Sequence, residues 1–357
     1  MIYEIPQTIK KTNEIVSARL ETITENLKGK SSLYFTGCGT AFFSALLGAN
    51  VLTLGNGDGL NFDCVQALEL TNHHPLNARS GTFGISHSGI TKTTIDAVQV
   101  ARSKGSYTIG VTHFAESPLS KAVDETLVVG NSPDKSRCHT KCYAASAIPL
   151  TQIGIELLKD RQVAHADRLS RIRDELLRLP GLAESVLAAT DSVMRQLAEK
   201  NYEKHTFYFA GTGASYPNAL EAALKVMETS YVPAQGFQAE QLLHGPWVSL
   251  DDKSLVFVIA TEERTRQRNR DLIEAATRLG ATVIPLMYEG EKGLGSVRNG
   301  IELPHVDEQV APYLSIIPLY LFAYYLSLRS GNNPDYLRYL DPNYWEARTI
   351  IFPPGTH

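Results

Sequence analysis

The chain has 357 residues, 43% of them hydrophobic and 20% charged, with a formal net charge of −4. That length exceeds what one compact core fills, so two domains are expected, and the balance of residue types excludes a disordered chain. The mild negative charge offers no broad attraction for nucleic acid or for an anionic membrane.

Glu4, Lys10, Lys11 and Glu14 stand where a signal peptide would need an apolar stretch. No uninterrupted apolar run is expected to approach the ~20 residues that span a bilayer. The four cysteines, Cys38, Cys64, Cys138 and Cys142, are too few and too scattered for a disulfide framework. Cys138 and Cys142 form a Cys-x3-Cys pair without a second matching pair, so no metal site is expected. The chain therefore reads as cytoplasmic, with reduced thiols. Residues 7–28 carry an amphipathic helical pattern within an N-terminal helical arm, 1–30.

A first α/β domain is expected over 31–160. Residues 33–46 read LYFTGCGTAFFSAL: an aromatic, β-prone run, a G-x-G turn, then a helical pattern. GTFGISHSG (81–89), a helix over 91–105 and a strand over 107–112 continue the βαβ order. Ser86, Ser88 and Thr91 around Gly89 suit a phosphate at a helix N-terminus, where backbone N–H groups point outward and the helix dipole favours negative charge. The same residues are also ordinary helix caps, and the Gly37–Gly39 turn serves tight packing equally well.

Residues 161–200 read as a helical linker of two helices, broken at Pro180–Gly181. A second domain follows over 201–335. Its opening, FYFAGTGASYPNAL (207–220), repeats 33–46 at an offset of 174, and SLVFVIATEE, TRQRNRDLIEAATRLG and ATVIPLM (254–287) repeat the next βαβ unit. Two aligned segments at one offset indicate an internal duplication, each copy a parallel sheet flanked by helices. The copies differ where Thr261-Glu262-Glu263 replaces the hydroxyl-rich loop, a change that would repel a phosphate.

Along 220–247, Glu221, Lys225 and Glu228 fall at i, i+4 and i+7 on one helical face, and His244-Gly245-Pro246 follows at an abrupt turn. A carboxylate with an imidazole can move protons between adjacent carbons. A solvent-facing ion pair between Glu221 and Lys225, and a structural histidine, explain the same spacing. Residues 332–357, rich in proline, are expected to form an irregular tail over the core, with a terminal segment at 336–357.

The whole chain resembles the tandem sugar-isomerase (SIS) family, which includes the isomerase half of glucosamine-6-phosphate synthase, amino-sugar phosphate deaminases and fructosamine 6-phosphate deglycases. The resemblance rests on GCGT (37–40), SHSG-x-T (86–91), Thr140-Lys141, LEAALKVMETSY (220–231), LLHGP (242–246) and the segment 310–335. It implies two SIS domains of α-β-α, flavodoxin-like architecture. It also implies phosphate or sugar binding by Gly39, Thr40, Ser86, His87, Ser88, Thr91, Arg137 and His139, and acid–base catalysis by Glu228 and His244, with Glu221 and Lys225 in support. No cofactor or metal is expected. The family carries the position of His244 across to a neighbouring subunit, so a homodimer is expected.

The departures matter. Residue 2 is Ile rather than a nucleophilic cysteine, so glutamine is not expected as the nitrogen source. Leu340-Asp341-Pro342-Asn343 stands where the synthase uses a tail lysine, and His87 and Ala41 replace a glutamine and a serine. The expected activity is deamination, deglycation or isomerisation of an amino-sugar or ketosamine 6-phosphate, with simple aldose–ketose isomerisation or non-catalytic sensing as alternatives.

Overall fold

The computed structural model describes residues 1–55, 59–161, 165–291, 294–297 and 300–353. Its N-terminal arm is two helices, α1 (Ile5–Ser17) and α2 (Leu20–Leu27), rather than one continuous helix over 7–28. Ile5, Ile9, Thr12 and Val16 form the buried stripe of α1, which packs against the helix Lys141–Asp160 of the first unit and the long helix Ala166–Asn201 that follows it.

The first α/β unit runs β1 (Ser32–Gly37), α3 (Thr40–Ala49), β2 (Asn61–Gln66), α4 (Ala67–His73), β3 (Ser80–Ile85), α5 (Lys92–Ser103), β4 (Tyr107–Thr112), α6 (Pro118–Ala122), β5 (Glu125–Val128) and α7 (Lys141–Asp160). The long helix α8 (Ala166–Asn201) leads to the second unit: β6 (Thr206–Gly211), α9 (Tyr216–Ser230), β7 (Ala234–Gln238), α10 (Ala239–Leu243), β8 (Ser254–Ile259), α11 (Arg266–Arg278), β9 (Thr282–Tyr288), β10 (Ile301–Leu303) and α12 (Ala311–Arg329). A last helix, α13 (Pro342–Ile351), follows.

Both sheets are parallel and share one strand order, β2-β1-β3-β4-β5 and β7-β6-β8-β9-β10. The duplication extends to register. Ser32 pairs with Ser80, and Thr206 with Ser254, each pair displaced by 174 (206 − 32, 254 − 80). The stacked rings Phe35–Phe83, with centroids 4.8 Å apart, recur as Phe209–Phe257 at 5.2 Å. The central strands β3 and β8 are buried along their whole length, as parallel strands covered on both faces must be.

Three further expectations are corrected. The linker is one helix through Pro180: Leu176, Leu179, Ala183, Val186 and Leu187 keep the apolar stripe in phase across it, and packing against α12 outweighs the local cost of the proline. The terminal segment is not irregular. Asp341 caps α13 by accepting the Asn343 N–H at 3.0 Å. Finally, α12 has the length and apolar composition of a membrane span, the only described helix that does, but 89% of its apolar window is buried inside the fold between α8 and α9.

The second sheet grips α9 closely. A Cβ on Gly236 of β7 would stand 2.4 Å from the Ala219 carbonyl oxygen of α9, backbone that has nowhere to go. Gly236→Val is expected to cost about 1–3 kcal/mol through overpacking. Chemical denaturation checks this, and a midpoint equal to that of the parent chain would refute it.

Candidate active site

In an open parallel sheet the crevice opens at the carboxyl ends of the strands where the strand order reverses. Here that point lies between β1 and β3, so the turn Cys38–Thr40 and the loop Ser86–Thr91 stand side by side. Gly39, at the head of α3, has φ +55°, a conformation that L side chains rarely adopt. In the second loop Ser86 Oγ accepts the Gly89 N–H at 3.1 Å and lies 3.0 Å from Thr91 Oγ1. Thr91 occupies the N-cap place of α5, but its side chain caps no helix N–H. Simple capping therefore does not account for these hydroxyls.

The matching point in the second domain is already filled. The Glu262 carboxylate oxygens lie 3.0 Å from where a Gly213 Cβ would be, and Ser215 Oγ pairs with Thr261 Oγ1 at 3.0 Å. An acidic side chain stands over this glycine turn, which matches the asymmetry read from the sequence.

What the second domain contributes is α9. Glu221, Lys225 and Glu228 are not a solvated ion pair: Glu221 is fully buried and Lys225 is 2% exposed. Lys225 Nζ lies 2.5 Å from Glu228 Oε2 and 3.5 Å from Glu221 Oε1, and donates to Thr40 Oγ1 at 3.1 Å. Thr40 and Tyr320 donate in turn to Glu221 Oε1, at 3.3 and 2.9 Å. Burial is the largest influence on Glu221. Together with the nearby Glu228 charge it raises the carboxyl to about 7, against the opposing pull of Lys225. Burial opposes the charge on Lys225, but its two carboxylates outweigh burial and hold it firmly protonated.

One cavity of about 1040 Å³ collects most of the expected residues: Gly39, Thr40, Ser86, His87, Ser88, Thr91, Arg137, His139, Lys225 and Glu228 all line it. Glu221 stands behind that wall. His244 does not reach it within the chain. Its side chain is 70% exposed after α10, and its Nε2 lies 2.9 Å from Glu240 Oε1. Glu240 is held down to about 2, first by Arg268 and then by His244.

Several cavity residues lie outside the sequence reading. Asp134 and Cys142 line the same wall, as do Arg348, Phe352 and Pro353 from the end of the chain. Asp134 Oδ2 accepts the N–H groups of Thr140 and Cys142, each at 3.2 Å, and so closes the start of α7 from outside the helix. A carboxylate six residues ahead of the Thr140-Lys141 helix start was the available signal, though capping by so distant a residue has no fixed spacing.

An SIS domain model matches residues 26–152 and again 202–329. Over 344 residues the chain is 30% identical to glutamine–fructose-6-phosphate aminotransferase (isomerizing) of Clostridium tetani, covering 94% of this chain and 56% of that protein. The chain thus spans about half the length of the curated relatives it matches. Among solved structures, the C-terminal domain of glucosamine-fructose-6-phosphate aminotransferase from Francisella tularensis superposes with a TM-score of 0.86 at 20% identity, covering 94% of this chain and 96% of that one. Glucosamine-6-phosphate deaminase from Thermotoga maritima gives 0.71 at 22% identity, with 93% and 96% covered.

Because the folded Glu221 carboxyl sits above its ordinary value of 4.5, folding favours its protonated form. Its contribution to stability is full below about pH 4.5 and is lost as pH rises to about 7, a fall of about 3 kcal/mol at 1.36 kcal/mol per unit. Glu221→Gln should flatten that part of the stability–pH curve measured by denaturant titration. An unchanged slope would show that another group produces it.

Proposed function

The chain belongs to the SIS family, with two SIS domains in tandem, and we propose that it is an enzyme acting on a sugar phosphate by proton transfer between C1 and C2. The observation that carries this reading is the meeting, in one cavity, of an anion-suited loop from the first domain and a positioned carboxylate from the second. Ser86, Ser88 and Thr91, with the backbone at the start of α5, hold the phosphate. Gly39 and Thr40 form the adjoining edge, and Arg137 and His139, which line the same cavity, contact the sugar.

Glu228 is the proton carrier. Lys225, at 2.5 Å, fixes its orientation and keeps a counter-charge beside it, while Glu221 and Thr40 fix Lys225 in turn and Tyr320 holds Glu221. A carboxylate placed this way removes a proton from C2 or C1 and returns it to the neighbouring carbon. Where the substituent is an amine that leaves, the outcome is deamination or deglycation. Where it is a hydroxyl that stays, the outcome is aldose–ketose isomerisation. The lack of a lysine at 340–343 favours amine release.

His244 opens the sugar ring from a neighbouring subunit of a homodimer. Its 70% exposure, with Trp247 and Val248 beside it 39% and 72% exposed, supports this role. An imidazole outside its own chain's cavity, followed by two exposed apolar side chains, fits a group donated on assembly.

Glucosamine 6-phosphate, fructose 6-phosphate with ammonia, and fructose-amino-acid 6-phosphates are the substrates to offer, with released ammonia or amine and the isomerised sugar measured. Glu228→Gln should lower kcat by about 10²–10⁴-fold with phosphosugar binding nearly intact, and Ser88→Ala should mainly raise KM. Tight phosphosugar binding with no turnover of any of these would establish a sensor instead.

A mixed-subunit experiment tests the donated histidine. Glu228→Gln and His244→Asn chains, each inactive alone, should recover about one quarter of parental activity when dissociated, mixed in equal amounts and reassociated, since half the dimers then hold one complete site. No recovery from mixed dimers would place His244 outside the partner's site.

A further inference from the structure

The cavity wall carries a second cluster, of which the proton-transfer reading uses only His139, as a sugar contact. One donor atom each from His87, Asp134, His139 and Cys142 lies within 4.8 Å of all the others. The four come from three segments: the loop after β3, the stretch between β5 and α7, and the first turn of α7. All four line the cavity, so the cluster opens toward the bound molecule rather than into the core.

These groups are poorly satisfied by the protein itself. His87 is 9% exposed, yet its Nδ1 has no hydrogen-bond partner among the described residues, and its Nε2 receives only the Asp134 N–H at 3.4 Å. The Asp134 side chain is fully buried, and its Oδ1 has no N–H or O–H donor among the described residues. His139 Nδ1 is likewise buried and unpaired, 4.0 Å from Asp134 Oδ2, too far for a hydrogen bond. The ring of His139 stands 4.3 Å from that of His87, with the Cys142 thiol against the Asp134 carboxyl. Leaving several buried polar atoms unpaired in one place costs about 1–3 kcal/mol each, which a shared ligand would remove.

From this arrangement we propose that His87, Asp134, His139 and Cys142 form a binding site for a divalent transition-metal ion of the zinc type. Two imidazoles, a carboxylate and a thiolate are a tetrahedral N₂OS set suited to Zn²⁺ and to Co²⁺ in its place. Bonds of about 2.0–2.3 Å put tetrahedral donors about 3.3–3.8 Å apart, so the cluster closes by about 1 Å around the ion.

Nδ1 of His87 and Nδ1 of His139 are both buried without a hydrogen-bond partner among the described residues, so each ring has an unused nitrogen to offer. Binding replaces the Cys142 thiol proton with a metal–sulfur bond and sends that proton to solvent. Thiolate and carboxylate together cancel the charge of a divalent ion. The neighbouring Lys225 and Lys141 are already balanced, by Glu221 with Glu228 and by Glu4.

The Cys-x3-Cys spacing pointed away from this site because only Cys142 belongs to it. Cys138 faces a smaller neighbouring cavity with Tyr320 and Thr229. If the sugar-phosphate reading holds, an ion held by these residues would be placed in the same cavity to polarise a sugar oxygen. Ion binding itself does not rest on that reading.

The test is cobalt titration of the full chain after chelator treatment. One Co²⁺ per chain is expected, with tetrahedral visible bands, a near-ultraviolet thiolate-to-cobalt charge-transfer band, release of one proton, and bleaching by Zn²⁺. Cys142→Ser should lose the charge-transfer band, His139→Asn should weaken binding about tenfold or more, and Cys138→Ser should leave the spectrum unchanged. If Cys142→Ser does not fold, His139→Asn carries the same test. No uptake of Co²⁺, a charge-transfer band that survives Cys142→Ser, or one that vanishes with Cys138→Ser overturns the site. Loss of KM alone in these variants, with no ion bound, overturns it too and assigns the cluster to sugar hydroxyls. Co²⁺ binding in a chain that turns over none of the sugar phosphates keeps the metal site and rejects the activity.

Discussion

The ammonium of Lys225 is the interaction on which the cavity depends. A buried cation is stable only when its charge is answered at close range, and here two carboxylates and a hydroxyl answer it. The hydroxyl, Thr40, belongs to the first domain and the carboxylates to the second, so one charge joins the two halves at the place where they enclose the cavity. The arrangement also fixes the orientation of Glu228, the only carboxylate of the pair that reaches the cavity surface. Positioning and domain docking are therefore one physical requirement.

The two sheets are near copies in strand order, register and even in their stacked phenylalanines, yet their crevices differ. The first keeps small hydroxyl side chains around its glycine turn, while the second fills the same place with Glu262. A binding crevice needs an unfilled anion position, and one carboxylate is enough to close it. The duplicated domain is then left to supply a helix, α9, whose buried face projects toward its twin. Close packing of α9 on β7, through Gly236 against Ala219, sets how far that face reaches.

Much of the fold was legible because duplication imposes the same periodicity twice. The strand–helix–strand order, the offset of 174 and the two glycine turns were all visible in the residues. The loop around Ser86 and Thr91 was legible as chemistry but not as location, since only the strand order brings it beside Gly39. The state of Glu221 and Lys225 could not be read, because i,i+4 spacing is the same on a wet face and on a dry one; only packing against Tyr320 decides. Pro180 misled because local propensity was set against a stripe of apolar contacts that local rules do not weigh. Asp134 and Cys142 were missed because the local run 134–142 gives only three of the four donors, and the fourth, His87, comes from the loop after β3.

The helix α13 buries none of its residues, although Arg348, Ile351, Phe352 and Pro353 from its end and just beyond form part of the cavity boundary. Much of the remaining boundary comes from the loops after the strands and from core helices, and release of the core helices exposes large apolar areas. Peeling α13 away uncovers little, so its detachment lies near the low end of the free-energy scale, far below that of whole-molecule unfolding. Of the elements that bound the cavity, this terminal helix is therefore the one whose release costs the packing least.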